Sequence, residues 1–111
     1  MMATGFEKSA KHFGLFFILY VSSFGWATAD PNERGRQFYE EICASCHGFD
    51  GIPILPASPN FSKGERMEKP DTELLKSITD GKGQLMPPWG TVLNEKDRAD
   101  VLTYIRSLEA K

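Results

Sequence analysis

Cys43-Ala44-Ser45-Cys46-His47 restricts what this chain can fold into more than any other segment, because it holds both cysteines of the chain and its only histidine besides His12. Two cysteines three apart, followed at once by histidine, form the attachment pattern of a covalent c-type haem. Residues three apart at the end of a helix share a face, so the sulfurs of Cys43 and Cys46 can form thioethers with the two vinyl groups of one porphyrin. His47 then falls under the porphyrin plane, where an imidazole nitrogen can bind iron.

Three other uses of the cluster are weaker. A thioredoxin-like C-x-x-C belongs in a βαβ setting, which this sequence lacks, and does not include the following histidine. A structural zinc site needs four N or S ligands, and the cluster offers three with no second group to complete them. A disulfide between Cys43 and Cys46 would close a loop too small to stabilise much.

Residues 1–29 carry the features of a secretory signal in order. Lys8, Lys11 and His12 precede an uncharged run from Phe13 to Ala29, which ends in Ala27-Thr28-Ala29 before Asp30. The run of 17 residues is diluted by Ser22, Ser23, Gly25 and Thr28 and sits at the short limit for a bilayer span. Cleavage after Ala29 is therefore the expectation, with an uncleaved anchor as the alternative. Taking Lys8 and Lys11 from 13 basic residues and Glu7 from 15 acidic ones leaves 11 and 14 in residues 30–111, a net −3. That balance does not fit a nucleic-acid binder. One domain over 30–111 is expected, and a chain this short gains from a covalent staple at its core.

The pattern within that domain is helical. Gly35, Phe38, Tyr39, Ile42 and Cys46 form an apolar stripe over Asn32 to Cys46, with Pro31 at the start. Gly35 lowers helix stability, which suggests that another helix approaches the backbone there. Glycines and prolines break the pattern between His47 and Pro70. The predicted loop wraps one side of a flat ligand with Ile52, Ile54, Leu55 and Phe61. A short helix comes next, with Asp71 or Thr72 as cap, Leu74, Leu75 and Ile78 inside and Gly81 past its end. Asn94 caps a last helix whose Val101, Tyr104, Ile105 and Leu108 keep helical spacing. Packing of the first helix, through Gly35 and Phe38, on Tyr104 and Leu108 of the last would close the domain. No alternating stretch argues for a sheet.

The second axial position decides between electron transfer and chemistry. Outside the signal only Met67 and Met86 offer a thioether. Met67 sits among Lys63, Glu65, Arg66, Glu68 and Lys69, a solvated setting. Met86 lies in a loop from Gly81 to Gly90, where glycines permit tight paths and Pro87 and Pro88 stiffen the chain after the sulfur. Met86 is the expected ligand, with a gap-filling core methionine as the alternative.

Residues 34–109 resemble the class I c-type cytochromes, the small single-haem bacterial proteins. The likeness rests on Gly35 and Phe38, the Cys43 to His47 motif, a proline in the loop after it, Met86-Pro87-Pro88-Trp89, and Tyr104. It implies an all-α cytochrome c fold of three to four helices and long loops around one covalent haem c, with iron held by His47 and Met86. It also implies that a proline carbonyl supports the His47 ring. Pro56 is the residue carried over for this, with Pro53 as rival. Trp89 resembles the aromatic set against the haem edge, its N–H reaching a propionate, although plain core packing accounts for it equally.

The resemblance implies a periplasmic electron carrier, not an enzyme, cycling one haem between Fe(II) and Fe(III) and docking transiently to a redox donor and acceptor. Two strong axial ligands leave little to move on reduction, and thioether ligation raises the potential. No acid/base pair, Ser/His/Asp set or phosphate loop is present. A haem subunit of a periplasmic dehydrogenase or oxidase is the alternative. An open-site sensor or peroxidatic protein is disfavoured, because no distal His or Arg lies near Met86.

Overall fold

The computed structural model describes residues 30–109, and the signal expected over residues 1–29 lies outside them. Asp30 opens the first helix, α1 (Pro31–Phe38), by accepting the backbone N–H of Asn32 on its carboxylate at 3.0 Å. Pro31 fits the first turn because its missing N–H has no helical partner to lose. The helical path continues through a π-helical turn, Tyr39–Cys43, into the short α2, Ala44–His47. The extra residue of such a turn rotates every later side chain around the axis. The apolar stripe predicted as one face is therefore split between two directions. Gly35 and Tyr39 meet the last helix, whereas Ile42, Cys43, Cys46 and His47 line a cavity.

The last helix, α4 (Glu95–Ser107), starts as expected, with Asn94 accepting the backbone N–H of Asp97 at 2.8 Å. It carries Val101, Leu102, Tyr104 and Ile105 into the core, and Leu108 joins them just after its end. Gly35 sets how closely α1 crosses it. A Cβ at Gly35 would stand 2.0 Å from the Asp100 carbonyl oxygen, so only a hydrogen fits there. Tyr39 and Tyr104 meet edge to face beside the crossing, with centroids 5.2 Å apart. Arg34 spans the same junction, 3.3 Å from Asp97 and 4.0 Å from Asp100, two acids that α4 buries. Lys96 holds Asp100 from the other side at 2.9 Å.

Between the helices the chain is irregular but closely tied. The Cys46 carbonyl accepts from the backbone N–H groups of both Ile54 and Leu55, and the Gly51 carbonyl from Phe61. These bonds fold residues 48–61 back on the motif helix, and a single 3₁₀ turn, Phe61–Lys63, ends the loop. Leu55 and Phe61 face the cavity as expected, but Ile52 and Ile54 are more than half exposed. The two bonds to Cys46 fix that path, and the alternation they impose turns both isoleucines to solvent.

The third helix, α3, runs from Asp71 to Asp80 with Ile78 buried and Leu74 and Leu75 half-buried against the core. Pro70, not Asp71 or Thr72, is its cap. Asp71 is instead engaged by Arg106 of α4, which donates to its carboxylate and to the carbonyls of Met67 and Lys69. The only β geometry among the described residues is an isolated antiparallel bridge between Lys82 and Met86.

Candidate functional site

α2 ends on His47, and three contacts fix that residue. The Tyr39 hydroxyl donates to the Gly48 carbonyl at 2.7 Å, locking the chain just past the helix. Gly48 has φ 80°, and a Cβ there would strike the Ile52 carbonyl, so the turn after the motif requires glycine. The Phe61 ring stacks on the imidazole, 4.9 Å between centroids and 15° from parallel. Burial holds the His47 pKa below its ordinary value, which favours the neutral ring a metal needs. Its buried Nδ1 has no hydrogen-bond partner among the described residues.

Met86 reaches the site on a loop sewn to the end of α3. Lys82 and Met86 exchange two backbone hydrogen bonds, at 2.9 and 3.2 Å, closing a tight turn. Trp89 and Gly90 donate to the carbonyls of Ile78 and Thr79 in the last turns of α3. Gly81 makes the reversal, with φ 77° and room for a Cβ only 2.5 Å from the Met86 carbonyl oxygen. The sulfur is thus placed by backbone, leaving its flexible side chain little distance to search.

These parts surround one cavity of about 560 Å³, bordered by Cys43, Cys46, His47, Leu55, Phe61, Ile78, Met86, Trp89, Leu102 and Ile105. The lining is largely apolar, as a cofactor pocket requires. The two cysteines are not bonded to each other. Burial, followed by the neighbouring Cys46, pushes the Cys43 thiol up to about 12, which keeps it protonated at neutral pH. No cluster of three or more His, Cys, Asp or Glu able to hold a bare metal ion exists among the described residues.

The donor set suits an iron porphyrin. Two unpaired thiols, a buried imidazole nitrogen lacking a protein partner and a thioether all border one apolar space. Met67 borders it too, but packs under Arg106, whose guanidinium contacts its sulfur at 4.0 Å and its carbonyl at 2.9 Å.

Pro56 is the expected site residue that the structure sets apart. It is exposed and borders a neighbouring depression with Glu65, Arg66 and Glu68, and no hydrogen bond joins it to His47. Of Pro53, Pro56 and Pro59, only Pro59 borders the cavity. The loop is drawn in at Phe61, so the proline nearest that anchor reaches the site. The sequence offered no sign of this, nor of the role of Tyr39 behind His47.

Comparison with known proteins bears on the fold and the cofactor. The sequence profile described as cytochrome C oxidase, cbb3-type, subunit III matches residues 30–105. The chain belongs to this family of c-type cytochrome domains. It is 34% identical over 102 residues, 82% of its length, to the cbb3-type cytochrome c oxidase subunit CcoP of Rhodobacter capsulatus. It is 26% identical over 98 residues, 80% of its length, to that of Azospirillum sp. (strain B510). The chain spans about a third of these curated relatives, 34% and 33% of their lengths. In fold it matches the KustC0563 c-type cytochrome with a TM-score of 0.62 at 22% identity, over 68% of this chain and 96% of that one. Cytochrome cL from Hyphomicrobium denitrificans gives 0.61 at 23% identity, over 73% of this chain and 53% of that one. The architecture is the all-α cytochrome c fold of the class I c-type cytochromes, and the domain carries covalent haem c with its iron.

Proposed function

We propose that this chain is exported, is cleaved after Ala29, and works in the periplasm as a single domain over residues 30–111 with His47 and Met86 as axial ligands of one haem. The observation that carries this reading is that His47, from a helix, and Met86, from a separate stapled loop, border the same cavity as both cysteines. Among the described residues no helix is long and apolar enough to cross a membrane.

Bound haem c supplies reversible one-electron chemistry. The chain's residues supply everything else. Cys43 and Cys46 tether the group, and the Phe61 stack and the locked Gly48 turn keep the imidazole from rotating. Of the three loop prolines Pro59 is the one that borders the cavity, while the ring's second nitrogen has no partner among the described residues. The Met86 loop is fixed through its backbone, an arrangement that would limit its movement on a change of charge at the site. Trp89 closes the cavity beside Met86 and excludes water.

The test is the visible spectrum of the exported, haem-loaded protein in both oxidation states. His/Met ligation predicts the weak far-red band of sulfur bound to ferric iron and no carbon monoxide binding in the ferrous form. A missing band with ready carbon monoxide binding would mean an open site and would overturn the assignment of Met86.

A second reading has its own support. Family membership and the relatives' names favour a haem module held in an oxidase complex, with redox partners in place permanently. Co-purification from gently solubilised membranes separates the two: a carrier elutes alone, a subunit with its complex.

A further inference from the structure

From Met86 the chain runs through Pro87, Pro88 and Trp89 to Gly90. Two prolines fix φ over half of that stretch, so whatever holds Gly90 also limits where Met86 can go. Gly90 is held between two helices. Its N–H donates to the Thr79 carbonyl of α3 at 3.1 Å, and its carbonyl accepts from Arg98 Nη1 of α4 at 3.0 Å. The same nitrogen donates to the carbonyl of Leu93, the residue before the Asn94 cap, which borders the cavity.

Arg98 has no other engagement among the described residues. Its guanidinium meets no carboxylate there, and neither of its two carbonyls accepts a backbone N–H. It stands in the opening turn of α4, the end where a helix dipole disfavours positive charge. Side chains on a helix lean toward its N-terminus, so this one reaches back over the loop. The loop's other hydrogen bonds run backbone to backbone, between Lys82 and Met86 and from Trp89 and Gly90 to α3. None of those touches α4. Arg98 is thus the hydrogen-bonding side chain that joins the Met86 loop to the helix which also grips α1 at Gly35 and Arg34.

We propose that Arg98 is a positioning residue which braces the Met86 loop against α4 and so keeps competing ligands off the iron. This rests on the reading that Met86 is the second axial ligand. A thioether is a soft, uncharged donor, and imidazole nitrogen competes with it for iron. Its hold therefore depends on how seldom the loop opens. Without Arg98 the exit of the loop stays stapled to α3 but is free of α4, and it opens locally, below the cost of global unfolding.

The experiment mixes imidazole with the haem-loaded ferric protein and follows the limiting rate at high concentration, where opening of the loop sets the pace. Arg98→Gln is expected to bind about tenfold faster than wild type, the effect of losing hydrogen bonds from a charged donor. Arg98→Lys keeps the charge but not the fork and falls between the two. It carries the same test if Arg98→Gln does not load haem. Arg34→Gln is the control, because it removes ion pairs of the same helix at the α1 crossing. Its denaturant midpoint falls while its imidazole rate stays that of wild type. Amide hydrogen exchange at Trp89 and Gly90 gives a second readout that does not require sulfur on iron. Both N–H groups are expected to exchange about tenfold faster in Arg98→Gln and at the wild-type rate in Arg34→Gln.

Imidazole binding and amide exchange no faster in the Arg98 variants than in Arg34→Gln would overturn the proposal. Absence of the far-red band in wild type would instead mark failure of the Met86 assignment, and exchange at Trp89 and Gly90 would still decide whether Arg98 braces the loop.

Discussion

Two regions border the cavity in different ways, and in the first His47 closes a helix and is held by side chains, with Tyr39 locking the turn behind it and Phe61 stacked on its ring. In the second Met86 sits in an irregular loop, held by backbone bonds to Lys82 and by the neighbouring bonds to Ile78 and Thr79. The first face is specified by residue types, and substitution attacks it directly. The second is specified by the path of the chain, and is most sensitive where that path depends on glycine.

The largest effect expected from breaking this contrast is at His47. His47→Ala removes the imidazole and the Phe61 stack together, and the exported protein should carry essentially no correctly ligated haem, read by haem staining and the loss of the low-spin spectrum. Met86→Ala should act on function with little effect on loading. The backbone bonds of its loop do not involve the sulfur, so the protein keeps covalent haem but loses the far-red band and binds carbon monoxide. Equal loss of haem in both variants would show that the two faces are built in one step and would break the comparison.

Gly81→Ala tests whether backbone path alone carries the second face. A methyl group is strained at φ 77° and would press on the Met86 carbonyl, so a loss of about 2–4 kcal/mol is expected by denaturant titration, with a weakened far-red band. Tyr39→Phe is the smallest of the four. It deletes one hydroxyl from a buried carbonyl and should lower stability by about 1 kcal/mol while the far-red band stays unchanged.

The legible parts of this molecule were those where one residue type has a single physical use. The Cys43 to His47 spacing is dictated by the porphyrin, and Gly35 could be read as a helix crossing because a glycine inside a helix is otherwise only a penalty. Asn94 and the spacing of Val101, Tyr104, Ile105 and Leu108 marked the last helix for the same reason. The illegible parts depend on partners distant in sequence. The cap of α3 went to Pro70 because Arg106, far along the chain, takes Asp71. The proline at the cavity is Pro59 and not Pro56 because the loop is drawn in at Phe61 by Gly51. The π turn at Tyr39–Cys43 leaves no mark in composition, yet it divides the first helix between core and cavity.

The crossing of α1 and α4 also has a kinetic side. Arg34 and Asp97, which meet there, are 63 positions apart, and closing so long a loop costs about 4 kcal/mol of chain entropy before any contact repays it. A contact of such long sequence separation raises the contact order of the domain, the property that slows folding. The same helix, α4, supplies Leu102 and Ile105 to the cavity that Cys43 and Cys46 border, so loosening the crossing also loosens one wall of the site.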